Sequence, residues 1–214
     1  MAEPAVEDAN SSRSLHRELY LFALYRVFEA AVLALVVFSP VGALIGELHA
    51  PRLAYATSVT YLLASVLLLA RTRRAEAHPM AWVLGAVAVD IVVAMLATHA
   101  MPGARAGIAM MLLFNIAASA LFVPQRIGLG VAGAASLALL GEFIWATVQG
   151  GDASRRPLAE LMMFSISFFS VAALAHTLGK QMRASFALAD KRGAEAANLY
   201  EINELIIRRM RTGV

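Results

Sequence analysis

Long apolar stretches alternate with short polar breaks along most of this 214-residue chain. A membrane-spanning helix needs roughly 20 predominantly apolar residues. Six stretches reach about that length, at residues 20–45, 53–71, 80–99, 105–123, 127–149 and 158–179. The longest breaks between them, at about 46–52, 72–79 and 150–157, are too short to hold a soluble domain. The pattern therefore predicts an all-α membrane domain of six helices over residues 19–179, preceded by a polar tail at residues 1–18.

Prolines mark the starts of the predicted helices. One lies within a residue or two of the start of every span after the first, at Pro51, Pro79, Pro102, Pro124 and Pro157. A proline is tolerated in the first turn of a helix, where its missing N–H would have no partner in any case. Pro40 is different, because it falls inside the first predicted span, where it is expected to kink the helix.

The distribution of lysine and arginine predicts the orientation of the helices, since cytoplasmic loops are enriched in these residues. With both termini in the cytoplasm, eleven of them lie on the inner side near the spans, namely Arg13, Arg17, Arg26, Arg71, Arg73, Arg74, Arg126, Lys180, Arg183, Lys191 and Arg192. Four lie on the outer side, namely Arg52, Arg105, Arg155 and Arg156. The bias predicts that both termini are inside, which agrees with an even number of spans.

The region after the last span, residues 180–211, carries charges of both signs and no proline. It is expected to continue the sixth helix into the cytoplasm, so that residues 158–211 form one nearly continuous helix roughly 80 Å long at about 1.5 Å per residue. Four apolar residues recur on one face at heptad-like spacing: Leu188, Leu199, Ile202 and Ile206. Polar residues occupy the other seam positions, which makes a poor coiled coil. Both a solvated amphipathic helix and a marginal two-stranded linker fit this pattern.

Composition agrees with a membrane protein. The chain is 60% hydrophobic and its mean hydropathy is +0.68, whereas a soluble domain is about half apolar. It contains no cysteine, which excludes disulfides, thiolate metal sites and a cysteine nucleophile. The net charge of +3 indicates arginines that bracket a bilayer and not a nucleic-acid surface. The polar start lacks the basic-then-apolar order of a cleaved signal peptide, so we expect it to be retained.

The ionisable residues inside the predicted spans, together with Asn115 in the fourth span, are the candidate sensing residues, because burying a charged or polar group in a bilayer is costly. Asp90 lies near the middle of the third span and Glu142 lies in the fifth. Each is expected either to make a structural hydrogen bond to another helix or to contact a ligand or partner, and Asp90 is expected to face protein. Arg26 and Glu29 lie three residues apart on one face of the first span. An interfacial ion pair, with Arg26 reaching for the membrane surface, is the favoured interpretation of these two.

Several other kinds of site fit less well. Residues 128–133 match G-x-G-x-x-G, but they begin an apolar span, so helix packing explains their glycines better than a dinucleotide does. The histidines lie near span ends without the i, i+4 pairing of a haem or zinc ligand set. His176 in the last span is compatible with an intramembrane serine protease, but Ser119 in the fourth span lacks the flanking glycines of such a nucleophile.

A small proton-coupled secondary transporter is the alternative function. Asp90, Asn115 and Glu142 would form its line of intramembrane polar groups. Neither an internal repeat nor a matched pair of broken helices is evident in the sequence, and transporters commonly have both. A transporter also has no need of the charged helix at residues 180–211.

The end of the chain resembles the linker of the PilS-type sensor histidine kinases. The resemblance is specific over residues 199–214, where Asn203, Ile206, Ile207, Met210 and the final Gly213-Val214 recur at the family's spacing. In that family a similar Asn-x-x-Ile-Ile-x-x-Met-x-x-Gly-Val passage leads into the first strand of a cytoplasmic PAS domain. Over the six spans the resemblance is architectural, since these kinases also have a compact membrane domain without large loops.

The resemblance implies that this chain is the sensory and anchoring part of a larger kinase in the bacterial inner membrane. Residues 212–214 would begin a PAS domain, followed by a phospho-accepting histidine and an ATP-binding domain. The chain carries none of these, so we expect no catalytic residue, metal or cofactor within it, and ATP only in the missing kinase domain. The implied function is control of type IV pilin expression. The implied partners are the lipid bilayer, a second copy of the chain as a homodimer, a pilin transmembrane helix and, through the missing domains, a PilR-type response regulator.

Overall fold

A computed structural model describes residues 4–40, 42, 48–72, 79–149 and 158–211, and these residues are almost entirely helical. The helices are α1 (Pro4–Phe38), α2 (Pro51–Thr72), α3 (Pro79–Ala100), α4 (Arg105–Phe122), α5 (Gln125–Val148) and α6 (Leu158–Arg211), with a 3₁₀ turn (Pro102–Ala104) before α4. Each of the six contains a segment long and apolar enough to cross a membrane. The prediction of an all-α protein with six membrane helices is confirmed. The orientation with both termini inside stays a prediction.

Prolines begin these helices as the sequence indicates. Pro51 and Pro79 are the first residues of α2 and α3, and Pro102 opens the 3₁₀ turn before α4. Pro124 is the residue directly before α5, and the N–H groups of Ile127 and Gly128 donate to its carbonyl. Pro157 lies outside the described residues. Proline therefore lies at the start of each of these elements, where its missing N–H removes no hydrogen bond from the helix.

The first helix differs from its predicted span at both ends. It begins at Pro4, so the segment expected to be only a polar tail continues the helix. It ends at Phe38 and not near residue 45, and Ser39 and Pro40 form a bend and a turn. The residue before a proline is disfavoured in helical conformation, which explains the stop at this point. The expected kink at Pro40 stays a prediction, because residues 41 and 43–47 lie outside the described part of the chain.

Residues 1–176 form one compact unit, in which α3 is the central helix. It packs against α2, α4 and α5, while α1 packs against α2 and α4. Small residues dominate the interior, including Ala30, Ala97, Ala120, Ala132 and Ala135, each no more than 1% exposed. Large apolar side chains such as Phe28, Leu63, Leu137 and Met163 point outward. Small interior residues let helices approach closely, and an apolar exterior suits a lipid environment.

The glycines of residues 128–133 serve packing in two of three cases. A Cβ added at Gly128 would lie 3.5 Å from the Cβ of Ala120 on α4, and one added at Gly133 would lie 3.7 Å from the ring of Phe169. Gly130 meets nothing within 4 Å, so helix packing does not explain it. These glycines lie inside helix α5, where a phosphate-binding loop has no place.

Helix α6 contributes to both units of the chain. Up to His176 it belongs to the bundle, where Phe168 is fully buried and Ala172 is 2% exposed. Thr177–Val214 is the second unit, and there every described side chain except Gly179 is exposed. The four predicted linker residues are among them: Leu188, Leu199, Ile202 and Ile206. The prediction of one continuous helix over residues 158–211 is confirmed.

Candidate functional site: a buried polar cluster

Five polar side chains from four helices meet inside the bundle, and we call them the polar cluster. The cluster comprises Arg26 and Glu29 from α1, Tyr61 from α2, Asp90 from α3 and Asn115 from α4. None of the five is more than 4% exposed. The outer surfaces of these helices are apolar and do not distinguish one helix face from another. Hydrogen bonds between buried polar side chains link specific faces of membrane helices.

The Arg26–Asp90 ion pair is the strongest contact of the cluster. The Arg26 guanidinium donates from Nε and Nη2 to the same oxygen, Asp90 Oδ1, at 3.0 and 2.5 Å. Its Nη2 also donates to the backbone carbonyl of Ala86 at 2.8 Å, and the guanidinium lies 5.9 Å from the centre of the Phe22 ring. A guanidinium and a carboxylate that neutralise each other remove most of the cost of burying either one.

This geometry corrects the interpretation of Arg26 and Glu29 as an interfacial pair. Arg26 is 1% exposed and does not reach for a membrane surface. It pairs with Asp90 on α3, whereas Glu29 faces Tyr61 and Asn115. The physical reason is that α1 turns both residues toward other helices, where opposite charge and hydrogen bonds are available in a medium of low dielectric constant. Position along a span does not reveal which way a side chain faces.

Tyr61 joins the two carboxyl groups. Its hydroxyl oxygen lies 2.9 Å from Asp90 Oδ1 and 3.2 Å from Glu29 Oε2, and that same Glu29 oxygen accepts a hydrogen bond from Asn115 Nδ2 at 2.7 Å. A tyrosine hydroxyl has one proton to donate. It can therefore donate to only one of the two carboxyl groups at a time, which gives the cluster two hydrogen-bonding arrangements.

Glu142 occupies a separate site. Its Oε1 lies 3.7 Å from His99 Nδ1, and the His99 ring packs edge-to-face on His49 with ring centres 5.8 Å apart. Glu142 is 3% exposed. It borders a cavity of about 40 Å³ whose walls we call the Glu142 pocket: Thr98, Arg105, Ala109, Leu139, Glu142, Phe143, Glu160, Leu161 and Phe164. The proposed transporter line of Asp90, Asn115 and Glu142 is therefore divided between two cavities.

Four of the five predicted sensing residues thus come together: Arg26, Glu29, Asp90 and Asn115. The expectation that Asp90 faces protein is confirmed, while its role in sensing stays a prediction. Tyr61 was not predicted, although the sequence of α2 contains a signal for it. Thr57, Ser58, Tyr61 and Ser65 fall on one helical face, and all four are buried. A polar face on an otherwise apolar span indicates the side that meets protein.

The chemistry of the polar cluster follows from the kinds of side chain that it brings together. Within the described ranges, no group of three or more His, Cys, Asp or Glu side chains is placed to hold a metal ion. The polar cluster instead has the composition of an intramembrane charge site: a guanidinium, two carboxyl groups, a phenol and an amide. Such residues inside membrane spans face the bundle interior and commonly mark functional sites.

Six apolar helices around a buried charge site define a multi-pass integral membrane domain. The chain belongs to the family described as the PilS-like transmembrane domain, whose model matches residues 8–189. It is 28% identical to the sensor protein kinase PilS of Pseudomonas aeruginosa over 198 residues, which is 92% of this chain and 37% of that relative. The chain therefore spans little more than a third of the relative's length. No solved structure matches it.

These findings confirm membership of the PilS-type family, while the linker motif at residues 199–214 lies beyond the family match and stays a prediction. The protein is a multi-pass protein of the bacterial inner membrane, and it has the six-helix membrane domain of PilS-type sensor kinases. The family match ends at residue 189, so the membrane helices and the first residues of the second unit lie inside it.

Proposed function

We propose that this domain perceives a signal within the inner membrane and transmits it to a histidine kinase that regulates type IV pilin expression. Its membership of the PilS-like family and its similarity to a sensor protein kinase support this function. The observation that carries it is the polar cluster, which links four membrane helices through one buried ion pair and the hydrogen bonds of buried side chains. A charge site of this kind lets a small change in helix packing have a large energetic effect.

In this proposal the bundle has two packing arrangements, and the signal binds one better than the other. A ligand shifts such an equilibrium only as far as its affinities for the two states differ. The Tyr61 hydroxyl supports the idea, since it can donate to Glu29 or to Asp90 but not to both. Relative movement of α1 and α3 would change which of the two carboxyl groups accepts the hydrogen bond from Tyr61. The partner we favour is a pilin transmembrane helix packed against the apolar exterior of the bundle.

Transmission would use α6. This helix places Phe168 in the core of the bundle unit and continues in the second unit to Arg211. The exposed apolar residues Leu188, Leu199, Ile202 and Ile206 would meet the same residues of a second copy, because otherwise they stay in water. A weak apolar seam suits a dimer that slips between two registers. Downstream, a PAS domain, an ATP-binding kinase domain and a PilR-type response regulator would receive the signal.

An insertion series in the full-length kinase tests this function. One alanine inserted after Gly193 rotates the following helix face by about 100°, whereas seven alanines rotate it by about two full turns and largely restore its direction. We expect one insertion to lock or reverse output from a pilin-promoter reporter, and seven to return output close to that of the unmodified kinase. Equal outputs from both would show that the helix is a passive tether and would favour the transporter alternative.

The insertion experiment needs a control for folding. The same single alanine placed after Thr212, beyond the end of α6, changes chain length without rotating the described helix. Membrane levels of each variant, measured by immunoblotting, should match those of the unmodified kinase. A locked output together with normal membrane levels assigns the effect to signalling.

A further inference from the structure

Four atoms of the polar cluster have no hydrogen-bond partner among the described residues. They are Arg26 Nη1, Glu29 Oε1, Asp90 Oδ2 and Asn115 Oδ1. Buried polar atoms in native proteins nearly always have a partner, and an orphaned one requires an explanation. Three of the four are oxygens, and they come from three different helices, α1, α3 and α4. A cation or a hydrogen-bond donor bound between these three oxygens would give each of them a partner.

A cavity of about 20 Å³ lies among these residues. Glu29, Tyr61, Asp90 and Asn115 line it, and its other walls are apolar: Leu33, Val93, Ala94, Ala97, Ile108, Met111 and Leu112. A buried site needs at least roughly 10–15 Å³ to hold one water molecule. The space therefore fits a single atom or a water-sized group, and it excludes an organic ligand.

The charges of the site favour a positive occupant. Arg26 is the one cation and Glu29 and Asp90 are the two carboxyl groups, while Tyr61 and Asn115 add neutral polar groups. With both carboxyl groups ionised the cluster has one uncompensated negative charge, which is costly inside an apolar bundle. A divalent ion would reverse the imbalance to one positive charge. One unit of positive charge leaves the cluster neutral.

We propose that the polar cluster binds one small monovalent cation, either Na⁺ or a proton, between Glu29, Asp90 and Asn115. Na⁺ would take the three orphaned oxygens as ligands. A proton would reside on the Glu29 carboxyl group and convert its free oxygen into a donor. In either form the cation neutralises the cluster and strengthens the contact of α1 with α3 and α4. Binding itself is independent of the proposed function, whereas its effect on signalling rests on that function.

Thermal unfolding of the purified 214-residue chain in detergent micelles tests the site. Samples in NaCl are compared with samples in choline chloride at equal ionic strength, so that only the small cation differs. If the site takes Na⁺, the Tm should rise by about 5 °C or more at a Na⁺ concentration about 100 times the Kd, because a ligand stabilises the state that binds it. Glu29→Gln should lose this rise, and Asn115→Leu should weaken it.

A matched control is available in the same bundle. Glu142 is also a buried glutamate in a membrane helix, but it lies outside this cavity. Glu142→Gln should therefore keep the full Na⁺ effect. If Glu29→Gln does not fold, Asn115→Leu supplies the test, because it removes a proposed oxygen ligand without removing a carboxyl group.

A pH series separates the proton from Na⁺. If the proton is the occupant, Na⁺ has no effect, and lowering the pH raises the Tm of the wild type and of Glu142→Gln relative to Glu29→Gln. The sign follows because the folded cluster takes up a proton that stabilises it. Identical Na⁺ and pH responses in wild type and Glu29→Gln would overturn the cation site and leave a water molecule in the cavity.

The same variants distinguish this inference from the proposed function. Each is introduced into the full-length kinase, and output is read from the pilin-promoter reporter. If Glu29→Gln abolishes the cation dependence of Tm but leaves output unchanged, the cation site stands and the sensing role of the cluster fails. If Glu29→Gln changes output while its Tm responds to Na⁺ and pH as the wild type does, the sensing role stands and the cation site fails.

Discussion

The polar cluster and the Glu142 pocket both bury a carboxyl group inside the same bundle, yet they neutralise it in different ways. Asp90 and Glu142 are each 3% exposed. Asp90 accepts two hydrogen bonds from Arg26, whose charge is permanent, and one from Tyr61. Glu142 Oε1 lies 3.7 Å from Nδ1 of His99, and Arg105 borders the same pocket. The first site therefore joins two helices through a short ion pair with a permanent cation, whereas the contact between Glu142 and His99 is longer than a hydrogen bond.

The two sites also differ in what they connect. The polar cluster draws residues from α1, α2, α3 and α4, whereas the Glu142 pocket is walled by α3, α4, α5 and the first turns of α6. Helix α3 takes part in both, through Asp90 near its middle and Thr98 near its end. A change in the position of α3 would therefore alter the side-chain contacts at both sites. The cluster should dominate stability, because it contains the only ion pair between described residues in which both side chains are almost fully buried.

The largest effect is expected for Asp90→Ala. Removing this carboxylate takes away the ion pair and both side-chain hydrogen bonds of the buried Arg26 guanidinium, and breaking a buried pair in this way costs about 3–5 kcal/mol in free energy of unfolding. Thermal or denaturant unfolding in detergent measures the loss. The double variant Arg26→Met with Asp90→Leu should recover most of it, because an apolar pair of similar size leaves no charge behind. A double variant as unstable as Asp90→Ala would show that the pair is not what holds α1 and α3 together.

A smaller effect is expected for Tyr61→Phe. This change removes a single hydroxyl that bridges Glu29 and Asp90, and a typical hydrogen bond contributes about 1 kcal/mol to stability. Tyr55→Phe is the control, because Tyr55 lies on the same helix but is 41% exposed and packs against the ring of Phe38. The same unfolding assay should show little change for Tyr55→Phe. Equal effects at the two tyrosines would mean that the bridge to the carboxyl groups contributes nothing.

The smallest effect is expected for Glu142→Gln. The amide keeps the shape of the side chain, but it removes the charge and replaces one acceptor oxygen with an NH₂ donor. Because the contact between Glu142 and His99 is 3.7 Å long and the His99 side chain is 22% exposed, we expect a loss of about 1 kcal/mol, smaller than that of Asp90→Asn. Unfolding midpoints measured beside those of Asp90→Asn give the comparison directly. If Glu142→Gln loses as much stability as Asp90→Asn, the charge of Glu142 stabilises the bundle as much as the charge of Asp90 does.

The sequence by itself determined the architecture of this protein. Twenty-residue apolar stretches predicted six helices because a bilayer requires that length, and prolines placed the starts of α2, α3 and α5 within about a residue. The burial of Asp90 was predictable for the same reason, since a carboxylate in the middle of a span must find protein. The end of α1 at Phe38 was not, because the apolar stretch continues past Pro40 whereas α1 ends two residues before that proline.

Only the tertiary structure decided which polar residues meet. Arg26 and Asp90 are 64 residues apart, and Glu29 and Asn115 are 86 apart. Hydropathy records how deep a residue lies along its span, but it does not record the direction in which the side chain points. That direction is fixed when small residues such as Ala97 and Ala120 let particular helix faces approach. Arg26 was therefore expected at the membrane surface, and its place inside the polar cluster follows from the packing of α1 against α2 and α4.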